Sequence, residues 1–216
     1  VDIKRIVVEF NIYESIFNNS LTGSLVISDS TSLISKLPVQ GTEIITFKLS
    51  TPGSPVIDCT NPGKAMHVYA VSDKQQSGDG SEIYTLHFAS REFLRNIRTR
   101  VSQTYSGRMD QMVASIFADE NYLDSRKTLN VQETSNQDKI TIPNLNPFQA
   151  INMLQNRALS TIDNSTNVGY HFYETPRGFH FRSWESMCVD KNGISRDVKQ
   201  SFEYMQGNMT DSTAYS

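Results

Sequence analysis

Period-two alternation opens the chain. In "IVVEFNIYES", Val8, Phe10 and Ile12 alternate with Glu9, Asn11 and Tyr13, the spacing of a strand with one buried face. Leu21, Gly23, Leu25 and Ile27 repeat it, with Thr22, Ser24 and Ser28 turned the other way. Ile45, Phe47 and Leu49 predict a third strand over Glu43–Leu49. "AMHVYAVSDK" and "EIYTLHFAS" supply a fourth and a fifth, joined by "QQSGDGS", whose Gly78-Asp79-Gly80 offers the positive-φ positions of a hairpin loop. The Ser30–Thr42 linker between the second and third strands is too long for a tight turn and holds an apolar trio, Leu33, Ile34 and Leu37. About five strands with turn punctuation predict a small antiparallel barrel or sandwich.

From Ser90 the period changes. "SREFLRNI" starts at a candidate N-cap, Ser90, and places Phe93, Leu94 and Ile97 at helical spacing. In "SGRMDQMVASIFADENYL", Met109, Met112, Val113, Ile116 and Phe117 form one apolar stripe. "DKITIPNLNPFQAINMLQNRAL" holds a short strand and a third helix, with Asn146 as cap, Pro147 at the first turn and Gln149 completing a capping box. Phe148, Ile151, Leu154 and Ala158 line its buried side. "GYHFYETPRGFHFRSW" reads as a hairpin turning at Pro176-Arg177-Gly178. The expected fold class is therefore α+β: a β-barrel unit over 1–89, an α+β unit with three helices and a hairpin over 90–187, and a polar connecting segment over 188–216.

With 216 residues, 38% of them hydrophobic, the chain is long enough for one large core or two small ones. A net charge of −3 gives no general basic surplus to recommend nucleic acid, and no apolar run reaches the length of a membrane span. Cys59 and Cys188 lie far apart without a CxxC pair and read as free thiols. Sequons at Asn18, Asn164 and Asn208 are unremarkable in a chain this rich in Ser, Thr and Asn.

Candidate chemistry is sparse. There is no phosphate-binding glycine loop, no GxSxG and no HExxH. A turn at Pro176-Arg177 sets Tyr173 opposite His180 and His171 opposite Arg182, so that His171 and His180 become diagonal neighbours with the spacing of two metal ligands, though no third is evident. His67 and His87 lie on facing strands and read as fillers of a half-exposed sheet surface. Asp29 and Glu43 flank the linker and are the pair a glycosidase would use; as turn and strand-end residues they also have ordinary structural roles. Arg91, Arg95, Arg98, Arg100 and Arg108 form a basic cluster, a solvated stripe or a docking face for an acidic partner. Tyr170, Tyr173 and Trp184 could offer sugar-stacking rings. No catalytic, cofactor-binding or metal residue is assigned, and no cofactor is expected.

The ordered set "LTGSLVISDSTSLISKLPVQGTEIITFKL", "EIYTLHFASREFLRNIRTRVSQTYSGRMDQMVASIF", "IPNLNPFQAINMLQNRA" and "GYHFYETPRGFHFRSWESM" resembles the baseplate hub proteins of contractile-tailed, T4-like phages, and more distantly the base of type VI secretion spike proteins. The resemblance covers roughly Ile6 to Met187. It implies a non-enzymatic structural protein of the virion, assembled in the bacterial cytoplasm as a homotrimeric ring. Its partners would be tail-tube proteins on one side, the central spike on the other, and other baseplate proteins, with no membrane and no sequence-specific nucleic acid. Hubs of this kind run longer, with a second barrel, so the resemblance also implies further chain after the 188–216 segment. Within it, the Ser30–Thr42 linker is expected to arch onto a neighbouring subunit. The rival readings are a tail-associated glycan hydrolase using Asp29 and Glu43, and a carbohydrate-binding module.

Overall fold

Strands dominate the first half: β1 (Val7–Tyr13), β2 (Thr22–Asp29), β3 (Ile44–Ile45), β4 (Lys48–Leu49), β5 (Ile57–Asp58), β6 (Met66–Gln76) and β7 (Glu82–Ser90). These positions come from a computed structural model, which describes residues 2–30, 43–53, 56–76, 80–162, 168–189 and 194–195. Five of the strands form one antiparallel sheet in the order β1-β2-β7-β6-β3. Leu21, Leu25, Ile27, Met66, Val68, Tyr84, Leu86 and Phe88 are its buried face, and each fully buried Phe, Leu or Ile stabilises it by about 1.5–3 kcal/mol.

The sheet curls. Phe10 of β1 and Phe47, just after β3, belong to opposite ends of the strand order, yet their rings meet edge-on at 4.8 Å. Both lean on Phe88 of β7, at 5.6 and 6.1 Å. Gly23 permits this inward bend, because a Cβ there would come within 2.3 Å of the Phe88 ring and 2.4 Å of the Asn11 carbonyl. The result is a half-barrel where the sequence predicts a small antiparallel barrel: among the described residues no strand pairing joins β1 to β3.

Two details of the expected strands change. A bulge between Val7 and Glu9 shifts the face of β1, so Val7 packs inward with Phe10 and Ile12 while Val8 is 66% exposed. The third strand is interrupted: Ile44–Ile45 pairs with β6, whereas Lys48–Leu49 leaves the sheet to pair with β5. The proposed arch over Ser30–Thr42 falls on positions 31–42, outside the described residues, as do positions 77–79 of the glycine-rich loop.

The second half follows directly from β7. Helices α1 (Arg91–Arg98), α2 (Met109–Ala118), α3 (Pro147–Gln155) and α4 (Trp184–Cys188) alternate with β8 (Thr104–Arg108), β9 (Leu129–Val131), β10 (Gln137–Thr141), β11 (Tyr170–Thr175) and β12 (Gly178–Ser183). All five stripe residues of α2 are buried, as are Phe148, Ile151, Leu154 and Ala158. They close on Phe172, Phe179 and Phe181 of the hairpin in a second core. α3 starts as its sequence dictates: Gln149 Oε1 accepts from the Asn146 N–H at 3.3 Å, and the free Phe148 N–H donates to Asn96 Oδ1 at 2.8 Å.

α1 departs from expectation. Ile97 of its proposed apolar face is exposed, while Glu92 is buried. β8, β9 and α4 are additions to the expected three helices, one strand and a hairpin. β8 pairs antiparallel with β10, and β9 runs parallel to β12 in a sheet ordered β11-β12-β9. Ser183 caps α4 by accepting from the Ser186 N–H at 3.2 Å.

Candidate functional site

The most heavily charged buried cluster lies where the two cores meet, and none of its members stood out in the sequence. Glu92 projects inward from the first turn of α1, and Glu174 from the inner face of β11. Lys127 comes from the loop before β9. Its Nζ donates to Glu174 Oε1 at 2.6 Å and Glu92 Oε2 at 2.9 Å, with all three side chains no more than 5% exposed. The remaining oxygens are also bonded. Ser125 Oγ donates to Glu92 Oε1 at 2.6 Å, and the Leu21 N–H at the edge of the curled sheet donates to Glu174 Oε2 at 2.8 Å.

Two carboxylates and one ammonium leave this cluster with a net negative charge. Burial raises the Glu174 carboxyl above its usual value, against the pull of Lys127. Burial also works against the Lys127 charge, but the two glutamates outweigh it and hold the ammonium above its ordinary value. Cys59 borders this cluster with Lys64 and Met66, and burial pushes its thiol up. Each carboxylate oxygen of the group accepts a hydrogen bond, and the bonds tie four segments of chain together: Leu21, α1, the loop of Ser125 and Lys127, and β11. Asn19 adds to the same seam by donating to the Phe172 carbonyl at 2.8 Å and to Asn152 Oδ1 at 3.0 Å.

The Asp29/Glu43 pair does not assemble. Asp29 is buried opposite Glu82 at one end of β2, where Tyr84 Oη donates to it at 3.5 Å. Burial of Tyr84 itself, and then the Asp29 carboxylate, push its hydroxyl up to about 12. The Glu43 carbonyl instead accepts from Val68, which lies opposite Phe88 in β7. Phe88 and Glu82 are six residues apart on that strand, roughly 20 Å. Strand geometry therefore separates the two carboxylates well beyond glycosidase spacing.

The hairpin register has Tyr173 opposite His180 and His171 opposite Arg182. His180 stacks on Tyr173 with centroids 5.0 Å apart, and its Nε2 meets Thr175 Oγ1 at 3.0 Å. His171 packs edge-on against Trp184 at 4.8 Å and near Phe17. Burial lowers both imidazoles, with Arg182 and Arg177 adding to the effect at His180. Among the described residues no three His, Cys, Asp or Glu side chains form a metal-binding group. His87 bonds Ser72 Oγ at 2.8 Å, while His67 lies opposite Ala89 rather than His87. Tyr170 cannot join a sugar platform with Tyr173 and Trp184: it sits in the core, its ring tilted against Phe181, with its hydroxyl donating to the Glu133 carbonyl at 2.7 Å.

Much of the basic cluster is internal bracing. Arg91 binds the carbonyl and carboxylate of Asp124, Arg95 binds the carbonyls of Tyr122 and Glu120, and Arg108 forks onto Asp110. Arg98 and Arg100 are left exposed.

The half-barrel also presents strand edges that have no partner among the described residues. β1 and β3 each lack a described neighbour on their outer side. A cleft of about 620 Å³ opens between them, walled by Ile3, Val7, Phe10, Ile45 and Phe47. Exposed apolar side chains lie on the same strands at Val8, Tyr13 and Ile44.

The described residues thus define a strand-rich α+β chain built on a curled antiparallel half-barrel sheet with four helices. No protein-family model and no curated protein matches it. Solved structures do. A tail protein from Neisseria meningitidis MC58 aligns over 80% of this chain and 44% of its own, at 14% identity and a TM-score of 0.50. The Escherichia coli c3393 protein aligns over 86% of this chain and 47% of its own, at 13% identity and a TM-score of 0.54. It is described as a component of the type VI secretion system with structural similarity to the T4 bacteriophage tail proteins gp27 and gp5. A 43 kDa tail protein of prophage MuSo2 from Shewanella oneidensis aligns at 12% identity over 82% of this chain and 53% of its own, with a TM-score of 0.48. The chain spans about half the length of these structures. At such identities the likeness is one of fold.

Proposed function

We propose that this chain is a structural, non-enzymatic component of a phage tail or a related injection machine, in which it forms a baseplate hub ring between the tail tube and the central spike. The observation that carries this reading is the half-barrel with two rims unpaired among the described residues, in a fold shared over most of the chain with a tail protein and a type VI secretion component. Unpaired strand edges and the apolar cleft between them are a liability in an isolated protein and an asset in an assembly, where a neighbour satisfies both. In this reading residues 1–89 build the ring wall, residues 90–187 form a peripheral unit, and three copies close the ring within a virion baseplate. Tube, spike and other baseplate proteins are then its partners.

Light scattering on the purified chain, with negative-stain images of the same sample, tests the reading. A mass three times the 24.4 kDa of one copy, together with rings bearing a central hole, supports it. A compact monomer at every concentration refutes it.

A further inference from the structure

The outer side of the β9–β12 sheet carries a second feature, which shares no lining residue with the cleft between the half-barrel rims and is independent of the tail reading. A groove of about 950 Å³ runs along the whole of β9. Its cationic wall is Arg177, at the hairpin turn, and Arg182, on the outer face of β12, with His180 between them. No carboxylate lines it among the described residues. Arg182 donates to the Ser186 carbonyl at 3.2 Å, and among the described residues neither arginine has an acidic partner, whereas Arg91 and Arg108 on the same half do.

The opposite feature of the groove is a strand edge. β9 is the last strand of its sheet. The Thr128 carbonyl accepts from Phe179 at 2.8 Å, and the Gln132 N–H donates to Phe181 at 2.9 Å. Alternation along a strand then turns the backbone groups of Leu129 and Val131 to the outer edge. Val131 is exposed there, offering a small apolar surface beside N–H and C=O groups that have no partner among the described residues.

We propose that this groove docks an acidic, extended segment of a partner protein, which adds to the free edge of β9 while its carboxylates meet Arg177 and Arg182. Strand addition supplies main-chain hydrogen bonds without regard to sequence, and the paired guanidinium groups select acidic side chains. A polypeptide fits better than a nucleic acid. The ring that lines the groove, His180, is already stacked on Tyr173, and two arginines make a short phosphate track.

The test uses the full chain and a fluorescein-labelled peptide of alternating Val and Glu, followed by fluorescence anisotropy. Saturable binding is expected, weakened at least about tenfold by Arg177→Glu with Arg182→Glu, since reversed charges repel what the originals attract. Two peptide-side controls leave the protein untouched. Lys in place of Glu should abolish binding, and Pro at alternate positions, which cannot donate to the edge, should weaken it strongly. Absence of binding overturns the proposal, whether the groove is bare or filled by the chain's own residues. Binding indifferent to the double reversal or to proline overturns it too, as does equal or tighter binding of a single-stranded DNA oligonucleotide.

Discussion

Lys127→Met is the most informative single change. It removes the one cation from a cluster in which Glu92 and Glu174 are each 2% exposed. Methionine fills nearly the same volume, so the effect reports charge rather than a cavity. Two carboxylates are then left buried, with Ser125 and the Leu21 N–H as their main donors. Losing one partner of a buried ion pair costs about 3–5 kcal/mol. For a chain of this size that corresponds to roughly 6–20 °C in Tm. Urea unfolding followed by far-UV circular dichroism measures it.

The loss carries a pH signature. The folded-state pKa of Glu174 is already raised by burial above its ordinary 4.5, and removal of Lys127 raises it further. A carboxyl raised in the fold holds a proton that the unfolded chain has released. Its contribution to stability therefore improves as pH falls from the folded value toward 4.5. The deficit of Lys127→Met against the parent should accordingly shrink as pH falls from neutral toward 4.5. The triple variant with Glu92→Gln and Glu174→Gln keeps acceptors for Ser125 and Leu21 and removes all charge, so it should recover most of the loss. A deficit under about 1 kcal/mol, no recovery in acid, or a triple variant no better than the single one would each refute the account.

Other perturbations probe separate parts of the fold. Gly23→Ala forces a Cβ into the Phe88 ring and the Asn11 carbonyl and should cost about 1–3 kcal/mol; combined with Phe88→Leu, the two changes should cost less than their sum in a denaturation cycle. Burial lowers His67, His171 and His180 below 6.5 in the fold, so the unfolded chain takes up protons first. Stability should be fully present above about pH 6.5 and fall as pH drops through the folded values, and His180→Gln should flatten that slope. Asp110→Asn disrupts the fork from Arg108 and weakens the bonds to Thr134, at a cost of about 1–3 kcal/mol read by thermal unfolding. The Asp110 carboxyl is held below 3.8: burial opposes this, but the Arg108 and Thr134 bonds outweigh it. The same deficit should therefore appear in the parent only as pH falls below 3.8.

Periodic segments with one buried face were legible in the sequence, and those whose partners lie far away were not. The stripe of α2 and the hairpin register from Tyr170 to Ser183 follow from local spacing, because each residue's neighbour is a few positions along the chain or across one turn. β9 has three residues and pairs with a strand some fifty positions later, so no local period marks it. The bulge at Val8 preserves an alternating sequence while changing which residue faces inward. Glu92 misleads for the same reason. Nothing near it in sequence marks it as buried, and its partners, Lys127 and Ser125, lie 35 and 33 positions later. The Arg91–Asp124 and Arg95 bonds likewise join α1 to a distant loop, which turned an apparent charged stripe into bracing.

The chemistry of the seam bears on what such a chain can do in an assembly. An apolar junction between the two cores would tolerate sliding, since apolar contact is non-directional. The Glu92–Lys127–Glu174 cluster is different, because each of its oxygens is matched to a donor and a small shift leaves a charge unpaired in a dry environment. Such a network contributes little net stability beyond what apolar residues would give, yet it penalises every other arrangement. It holds β2 and β7 of the half-barrel, with α1, against the β11–β12 hairpin in one orientation. The rims of the half-barrel and the groove along β9 are consequently displayed at a fixed angle to each other. A protein that must meet a neighbour through one surface and a second partner through another gains from that fixity more than from a few additional kcal/mol.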